Sequence, residues 1–264
     1  MEQARVQTLA YQTLPRQIPL FSAYVAGDRA VRSRFPHAPG DRKAFSHLVE
    51  TIRQRPYPRA EVAAVLAAQA ETFGAPPEAR RHIQQLTDPA SVAVVTGQQV
   101  GLFGGPLFTL YKALTVIAVA RQMEGDLGSP VIPVFWMASE DHDLAEVDHL
   151  ALLDRHDYLE RLRYAPPEGF GADLPATHRL GPEIEALRTS LLTLSSAGPV
   201  SNQIAELLGT SYRVGDTLAQ GFGRLLSHLL GPHGLVLVDP SDPRLKAATL
   251  PLFLQELESA PTTT

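Results

Sequence analysis

The clearest pattern along the chain is a pair of short apolar runs without polar alternation. They occupy residues 91–95 (SVAVV) and Val131–Ala138 (VIPVFWMA), and turn residues bound both of them. Such runs are typical of strands that are buried on both faces of a parallel sheet. The segment between them predicts a long helix that begins near Pro106, a residue type favoured at the first helical position, and ends by Gly125 or Gly128. Strand, helix and strand of these lengths predict a βαβ unit with parallel strands and a right-handed crossover.

A third strand is predicted further along the chain. Residues 216–230 (DTLAQGFGRLLSHLL) predict a helix capped by Asp216, and residues 235–238 predict a parallel strand of the same sheet. Trp136, the only tryptophan, lies inside the second apolar run and is predicted to belong to the core.

The remaining segments complete an α/β prediction. Residues 1–45 are predicted to be loops, because Pro15, Pro19, Pro36 and Pro39 interrupt any long element. The other predictions are a hairpin of residues 149–154 and 158–164 about residues 155–157, and helices at residues 59–73, 77–86, 184–194 and 201–208.

Composition excludes several classes of function. The chain has 264 residues, a formal charge of -5 at pH 7 and no cysteine, so disulfides, thiolate metal sites and a cysteine nucleophile are excluded for this sequence. No run of Lys and Arg is present, and neither nucleic-acid nor membrane-surface binding is predicted. The first residues lack the regions of a signal peptide, and the apolar runs are too short to span a bilayer, so a cytoplasmic location is expected.

A glycine-rich segment, residues 96–106 (TGQQVGLFGGP), joins the first strand to the long helix. Its glycines permit close backbone approach, and a helix N-terminus favours anions such as phosphate or carboxylate. The spacing matches neither the phosphate-binding P-loop nor the dinucleotide fingerprint, and a purely structural tight turn is the alternative. The predicted substrate-binding residues here are Thr96, Gly97, Gln98, Gln99, Gly104, Gly105 and, on the helix, Lys112.

An acidic cluster follows the second strand: Glu140, Asp141, His142 and Asp143, with Glu146, Asp148 and His149 close behind. Carboxylates beside an imidazole are suited to general acid-base chemistry, and the same set with His142 or His149 would suit a divalent metal. The purely structural alternative is a solvated turn in which Asp143 or Asp141 caps the next helix. Asp141, His142 and Asp143 are the catalytic candidates, Glu140 is a substrate-binding candidate, and no metal ligand is assigned.

These two segments are expected to lie close together. They follow neighbouring strands of one βαβ unit, and the carboxyl ends of parallel strands meet at one edge of the sheet, where ligands bind in open α/β folds. The sequence therefore predicts a site at this edge.

The same residues carry a resemblance to a known family. Residues 96–113 (TGQQVGLFGGPLFTLYKA) and 131–149 (VIPVFWMASEDHDLAEVDH), and more weakly 234–246 (GLVLVDPSDPRLK), resemble the cysteine-adding enzymes of bacillithiol biosynthesis, the BshC family. The resemblance implies a Rossmann-like parallel sheet related to class I aminoacyl-tRNA synthetases and nucleotidyl transferases. It also implies a ligase that joins the carboxyl group of cysteine to the amine of glucosaminyl-malate.

Roles for individual residues follow from this resemblance. Gln98 and Gln99 would bind substrate with Lys112 nearby, while Asp141 and His142 would assist amine deprotonation or orient glucosamine hydroxyls. By analogy with activating ligases, ATP with magnesium would activate the cysteine, and no tightly bound cofactor is expected.

The resemblance also frames the domain organisation. Residues 1–90 are expected to form a loop and helical segment that packs on the core. Residues 91–264 are expected to form the first half of the Rossmann-like core, with a hairpin and helical insertion at about residues 149–215. Members of the family are about twice as long and dimerise through a coiled coil, so a chain of this length is expected to be C-terminally truncated, and its activity and homodimer formation are open.

Two other functions remain open on sequence grounds. One is a metal-dependent hydrolase or transferase that uses residues 140–143 with His149. The other is a truncated remnant without activity that serves only as an interaction partner.

Overall fold

The computed structural model describes residues 9–10, 13–14, 17–35, 37–38, 41–154, 156–169, 174–194 and 201–259. The chain divides into two compact units, Met1–Arg55 and Pro56–Thr264. Within the described residues, no helix combines the length and the apolar character needed to cross a membrane.

The first unit contains helices where loops were predicted. They are α1 (Pro19–Ala26), α2 (Arg29–Arg32) and α3 (Arg42–Arg53). Pro19 begins α1 instead of breaking it, because a proline at the first helical position needs no backbone donor. The Asp28 and Asp41 carboxylates cap α2 and α3 by accepting from the backbone N–H groups of Ala30 and Ala44. Pro15, Pro36 and Pro39 lie outside the described residues.

The second unit is an α/β structure whose elements follow the predicted order closely. They are α4 (Arg59–Thr72), α5 (Pro77–Gln85), β1 (Val92–Gln99), α6 (Phe108–Leu127), β2 (Val131–Ala138), α7 (Leu144–Val147), β3 (His149–Leu153), β4 (Leu159–Arg163), α8 (Glu183–Leu194), α9 (Ser201–Ser211), α10 (Leu218–Leu230), β5 (Val236–Val238) and α11 (Pro243–Ser259).

The three-stranded sheet has the order β1-β2-β5, and both pairs of strands are parallel. The predicted βαβ unit and the third parallel strand are thus confirmed. β1 is longer than predicted and continues through Gln98 and Gln99, which pair with Met137 and Ala138. Gly97 permits this extension, because a Cβ atom there would lie 2.8 Å from the carbonyl oxygen of Trp136.

Two helical layers cover the sheet. Val116 and Ile117 of α6 and Phe222 of α10 pack against Phe135 and Met137 on one face. α4 packs against Val134 and Val236 on the other face. This second face stays open near β1, where Val95 is 59% exposed and Trp136 is 45% exposed. The prediction that Trp136 belongs to the core is therefore wrong.

A third apolar cluster supports the elements after β2. The predicted hairpin is confirmed as antiparallel β3 and β4, and its base packs with α8, α9 and the start of α10 around Tyr164, Ile184 and Tyr212. The predicted cap of α10 is wrong. Thr217, and not Asp216, caps this helix, since Thr217 Oγ1 accepts from Gln220 N and the Gln220 side chain accepts from Thr217 N.

Candidate functional site

The two predicted segments meet at the carboxyl edge of the sheet through one side chain. Gln99 is the last residue of β1, and its Nε2 donates to Asp141 Oδ2 at 2.8 Å and to Glu146 Oε2 at 2.6 Å. Asp141 lies on the turn that follows β2, and Glu146 lies on α7. The predicted convergence of the two segments is confirmed by this contact.

A line of polar groups continues from Gln99 back to α6. The ammonium group of Lys112 donates to Gln98 Oε1 at 2.8 Å and to the Gly97 carbonyl oxygen at 3.2 Å. Gln98 Nε2 in turn donates to Gln99 Oε1 at 3.4 Å. Because the lysine can only donate and the carboxylates can only accept, both glutamine amides are held in one orientation.

Hydrogen bonds keep Asp141 ionised at this edge. Its pKa lies below the ordinary value of 3.8 chiefly because the backbone N–H of Asp143 donates to the carboxylate, at 3.1 Å from Oδ1. The Gln99 amide and the charge of His142 act in the same direction, and desolvation opposes them. The stability that this carboxylate contributes is therefore complete above the ordinary pKa and is lost only as the pH falls through the lowered value.

The hydrogen bond from Gln99 is expected to contribute to the lowered pKa of Asp141. An NMR titration of the wild-type Asp141 carboxyl group should show a midpoint below 3.8, and Gln99→Met should move the midpoint upward, since one donor is lost while Glu146 stays nearby. Gln84→Met, a change at an exposed position of α5, serves as the matched control and should leave the midpoint unchanged. A wild-type midpoint at or above 3.8 would contradict the assignment.

The other residues of the acidic cluster point elsewhere. The side chains of His142 and Asp143 are exposed, and Glu140 forms an ion pair with Lys246 of α11. Asp143 occupies the N-cap position of α7 on an exposed turn, as the structural alternative expects, but its side chain makes no capping hydrogen bond.

The glycine-rich turn is held from beneath by a buried tyrosine. Gly104 N donates to the hydroxyl of Tyr212 at 3.1 Å, and Gly105 N donates to the carbonyl oxygen of Leu102 at 3.0 Å. Both glycines have positive φ, as does the non-glycine residue Phe103 with φ 50°. The helix α6 begins at Phe108, two residues later than predicted, and has no side-chain cap. Two N–H groups of this turn are thus already bonded inside the protein.

Two adjoining cavities lie beside the turn. The first, here called the amide cavity, has a volume of about 280 Å³ and is lined by Gln98, Gln99, Gly101, Pro106, Phe108, Glu146, Val147 and His149. The second, here called the apolar cavity, has a volume of about 390 Å³ and is lined by Phe103, Gly104, Gly105, Pro106, Leu107, Leu110, Glu146, His149, Leu150, Ala151, Leu225 and Leu229. Among the residues that the structure describes, only Pro106, Glu146 and His149 line both cavities.

Some of the predicted site residues do not line these cavities, and some of the lining residues were not predicted. Lys112 and Asp141 line neither cavity, but they form hydrogen bonds with Gln98 and Gln99, which line the amide cavity. Thr96 is a half-buried strand residue that pairs with Phe135. Glu146 and His149 line both cavities, although neither was assigned a role in substrate binding. Their three-residue spacing directly after the predicted acidic turn was the available signal.

The described part of the chain contains no group of three or more His, Asp and Glu side chains arranged to hold a metal ion. His149, which the metal alternative requires together with residues 140–143, instead contacts Asp148 and Arg161. The structure therefore does not favour the metal-dependent alternative.

A family model and the curated relatives described below all belong to one protein family. The family model for the N-terminal Rossmann-like domain of the bacillithiol biosynthesis protein BshC matches residues 5–264. A relative from Koribacter versatilis, named "Putative cysteine ligase BshC", is 39% identical over 249 residues, which is 94% of this chain and 45% of the relative. A relative of the same name from Salinibacter ruber is 36% identical over 90% of this chain and 44% of its own length. The chain thus spans less than half the length of these curated relatives.

Proposed function

The chain belongs to the bacillithiol biosynthesis BshC family, of which it carries the N-terminal Rossmann-like domain, and on this basis we propose that it functions in joining cysteine to the amine of glucosaminyl-malate. The reaction forms a C–N amide bond, and both substrates are small molecules. The relatives are named as cysteine ligases, and the family is one of bacillithiol biosynthesis. The glucosaminyl-malate substrate is part of the proposal.

The observation that carries the proposal is the link made by Gln99. It joins the glycine-rich segment to the acidic segment and faces a cavity at the edge where ligands of open α/β sheets bind. Both N–H groups of Gln99 are occupied, so the cavity offers donor capacity from the Gln98 amide and acceptor capacity from both amide oxygens, which suits a ligand rich in hydroxyl groups. Its adjacent carboxylates, Asp141 and Glu146, suit a ligand that carries an amine.

The roles of the site residues form part of the same proposal. Gln98 and Gln99 contact the sugar, and Lys112 and Asp141 fix the orientations of these amides. His142 and Asp143, on the exposed turn after β2, orient sugar hydroxyls that extend beyond the amide cavity, and Glu140 lies next to them. Thr96, Gly97, Gly104 and Gly105 shape the wall at the end of β1.

We further propose that ATP with magnesium activates the cysteine carboxyl group. The residues at this edge fit a nucleotide only in part. Gly104 and Gly105 have their N–H groups bonded within the protein, and Lys112 of α6 is held by Gln98 and Gly97.

The test of the proposed function is ligand-induced stabilisation. Glucosaminyl-malate at 100 times its dissociation constant should stabilise the native state by about 2.7 kcal/mol, which raises the melting temperature of a domain of this size by roughly 5–10 °C. The melting temperature is measured with glucosaminyl-malate, cysteine and Mg-ATP, singly and together. Gln98→Met should abolish the shift caused by glucosaminyl-malate, whereas the matched variant Gln84→Met should retain it.

Either of two results would count against the proposal. If glucosaminyl-malate produces no shift in a sample that melts cooperatively, the chain does not bind this substrate, and the reading as an inactive remnant gains support. If Gln98→Met and the wild type respond equally, the substrate binds away from the amide cavity.

A further inference from the structure

The position shared by the two cavities is occupied by a histidine whose ring is held by a buried carboxylate. His149 Nδ1 lies 3.0 Å from Asp148 Oδ1, and the Asp148 side chain is only 1% exposed, whereas the His149 side chain is 24% exposed. Arg163 Nε donates to the second carboxylate oxygen of Asp148 at 2.6 Å. Asp148 is thus fixed on both sides, and it fixes the imidazole in turn.

The partners of the ring also define which nitrogen carries the proton. The carboxylate of Asp148 can only accept, so Nδ1 donates to it, and Arg161 can only donate, so Nε2 at 3.1 Å from its Nη2 accepts. The neutral tautomer with the proton on Nδ1 satisfies both contacts. Its lone pair is on Nε2, the nitrogen away from the buried carboxylate, where it accepts from Arg161.

We propose that His149 is the general base of the amide-forming reaction and that Asp148 is its positioning residue. This inference rests on the proposed function, because it assumes that the amine substrate occupies the amide cavity. The amine then lies against the residues that line both cavities, among them His149. Glu146 is the other titratable group there, but its carboxylate already accepts from Gln99 at 2.6 Å.

The proposed step is an acyl transfer to the amine. The amine nitrogen of the glucosamine attacks the carbonyl carbon of a cysteine activated as a phosphate-type mixed anhydride. The C–N bond forms, the bond between that carbon and the anhydride oxygen breaks, and the phosphate group leaves with the electron pair. One amine proton passes to Nε2 of His149. Arg161 is exposed, so its guanidinium group can leave Nε2 when the amine arrives.

The dyad follows the logic by which a buried carboxylate orients a catalytic imidazole and stabilises the imidazolium that forms. The charged groups that surround the ring are Asp148 beside it, Glu146 on α7, and Arg161 and Arg163 on β4. A positioned general base of this kind accelerates a reaction by about 100-fold to 10,000-fold.

The test uses the full chain labelled with ¹⁵N-histidine. The His149 signals are assigned from their loss in His149→Gln. Glucosaminyl-malate should move the Nε2 resonance of His149, whereas the N-acetylated form of the same ligand, whose amine is blocked, should bind without moving it. His156→Gln, on the turn of the same hairpin, is the matched control and should leave the response intact. Asp148→Asn should redistribute the proton between Nδ1 and Nε2, which a purely structural change would not do.

The possible outcomes distinguish a failure of the His149 assignment from a failure of the proposed function. If glucosaminyl-malate raises the melting temperature while Nε2 does not move, or if both ligands move Nε2 equally, the assignment of His149 is overturned and the proposed function stands. If glucosaminyl-malate does not bind at all, the proposed function falls and the assignment falls with it. Under conditions where the wild type turns over, His149→Gln should lower kcat by about 100-fold or more, with a much smaller change in KM.

Discussion

Replacing Gln99 with methionine is expected to lower the rate of amide formation by about 100-fold to 1,000-fold, the effect typical of removing one preorganised polar group from an active site. Gln99 donates to Asp141 and Glu146 and accepts from Gln98, so methionine removes three hydrogen bonds at nearly constant length and volume. The two carboxylates then repel each other without a shared donor, and Gln98 loses the contact that orients it. The rate is measured by mass spectrometry with cysteine, glucosaminyl-malate and Mg-ATP.

A folding defect must be separated from this effect. Gln84→Met makes the same chemical change on α5 and should leave both the rate and the melting temperature unchanged. Gln99 is half-buried at the sheet edge, so Gln99→Met should alter the melting temperature little compared with its effect on the rate. Turnover within a factor of a few of wild type would remove Gln99, and the link between the two segments, from the proposed function.

The core of the fold could be predicted because its signals are local. The apolar runs of β1 and β2 are long enough to identify buried strands, and the helix between them ends at Gly128 in the left-handed conformation that favours glycine. The parallel direction of these two strands then follows from the long helical connection between them. The exposure of Trp136 could not be predicted, because it depends on which part of the sheet α4 covers. No local sequence pattern indicates the position of that helix on the sheet.

The sequence predicted where the candidate site lies in the fold, but not which side chains contact each other there. Parallel strands place Gln99 and Asp141 at one edge whatever the surrounding side chains are. The bond from Gln99 to Glu146 depends instead on the path of the turn after β2, which the sequence does not encode through any periodic pattern. The same holds for Asp148, whose burial beneath Arg163 arises from the pairing of β3 with β4.

Replacing Tyr212 is expected to have the largest effect on stability of any change near the site. Tyr212→Phe should lower the free energy of unfolding by about 1–3 kcal/mol, because Gly104 N is left without its acceptor in a buried position. Tyr212→Ala should lower it by about 3–5 kcal/mol, since a fully buried ring is removed. The ring packs edge-on against Phe103 with 5.1 Å between centroids, so little room exists for the surroundings to collapse. Urea denaturation of each variant measures both losses.

The tyrosine hydroxyl also connects stability with the site. Burial raises the pKa of Tyr212, so the hydroxyl stays protonated and donates to the Gly101 carbonyl oxygen while it accepts from Gly104 N. Gly101 lines the amide cavity and Gly104 lines the apolar cavity, so Tyr212→Phe should weaken glucosaminyl-malate binding as well as folding. Tyr111 on α6 is 61% exposed, and Tyr111→Phe should change the free energy of unfolding by less than about 0.5 kcal/mol. If Tyr212→Phe is as stable as Tyr111→Phe, the glycine-rich turn keeps its shape without the hydroxyl, and the positive φ of Phe103 is maintained by the packing of its side chain with neighbours such as Leu225.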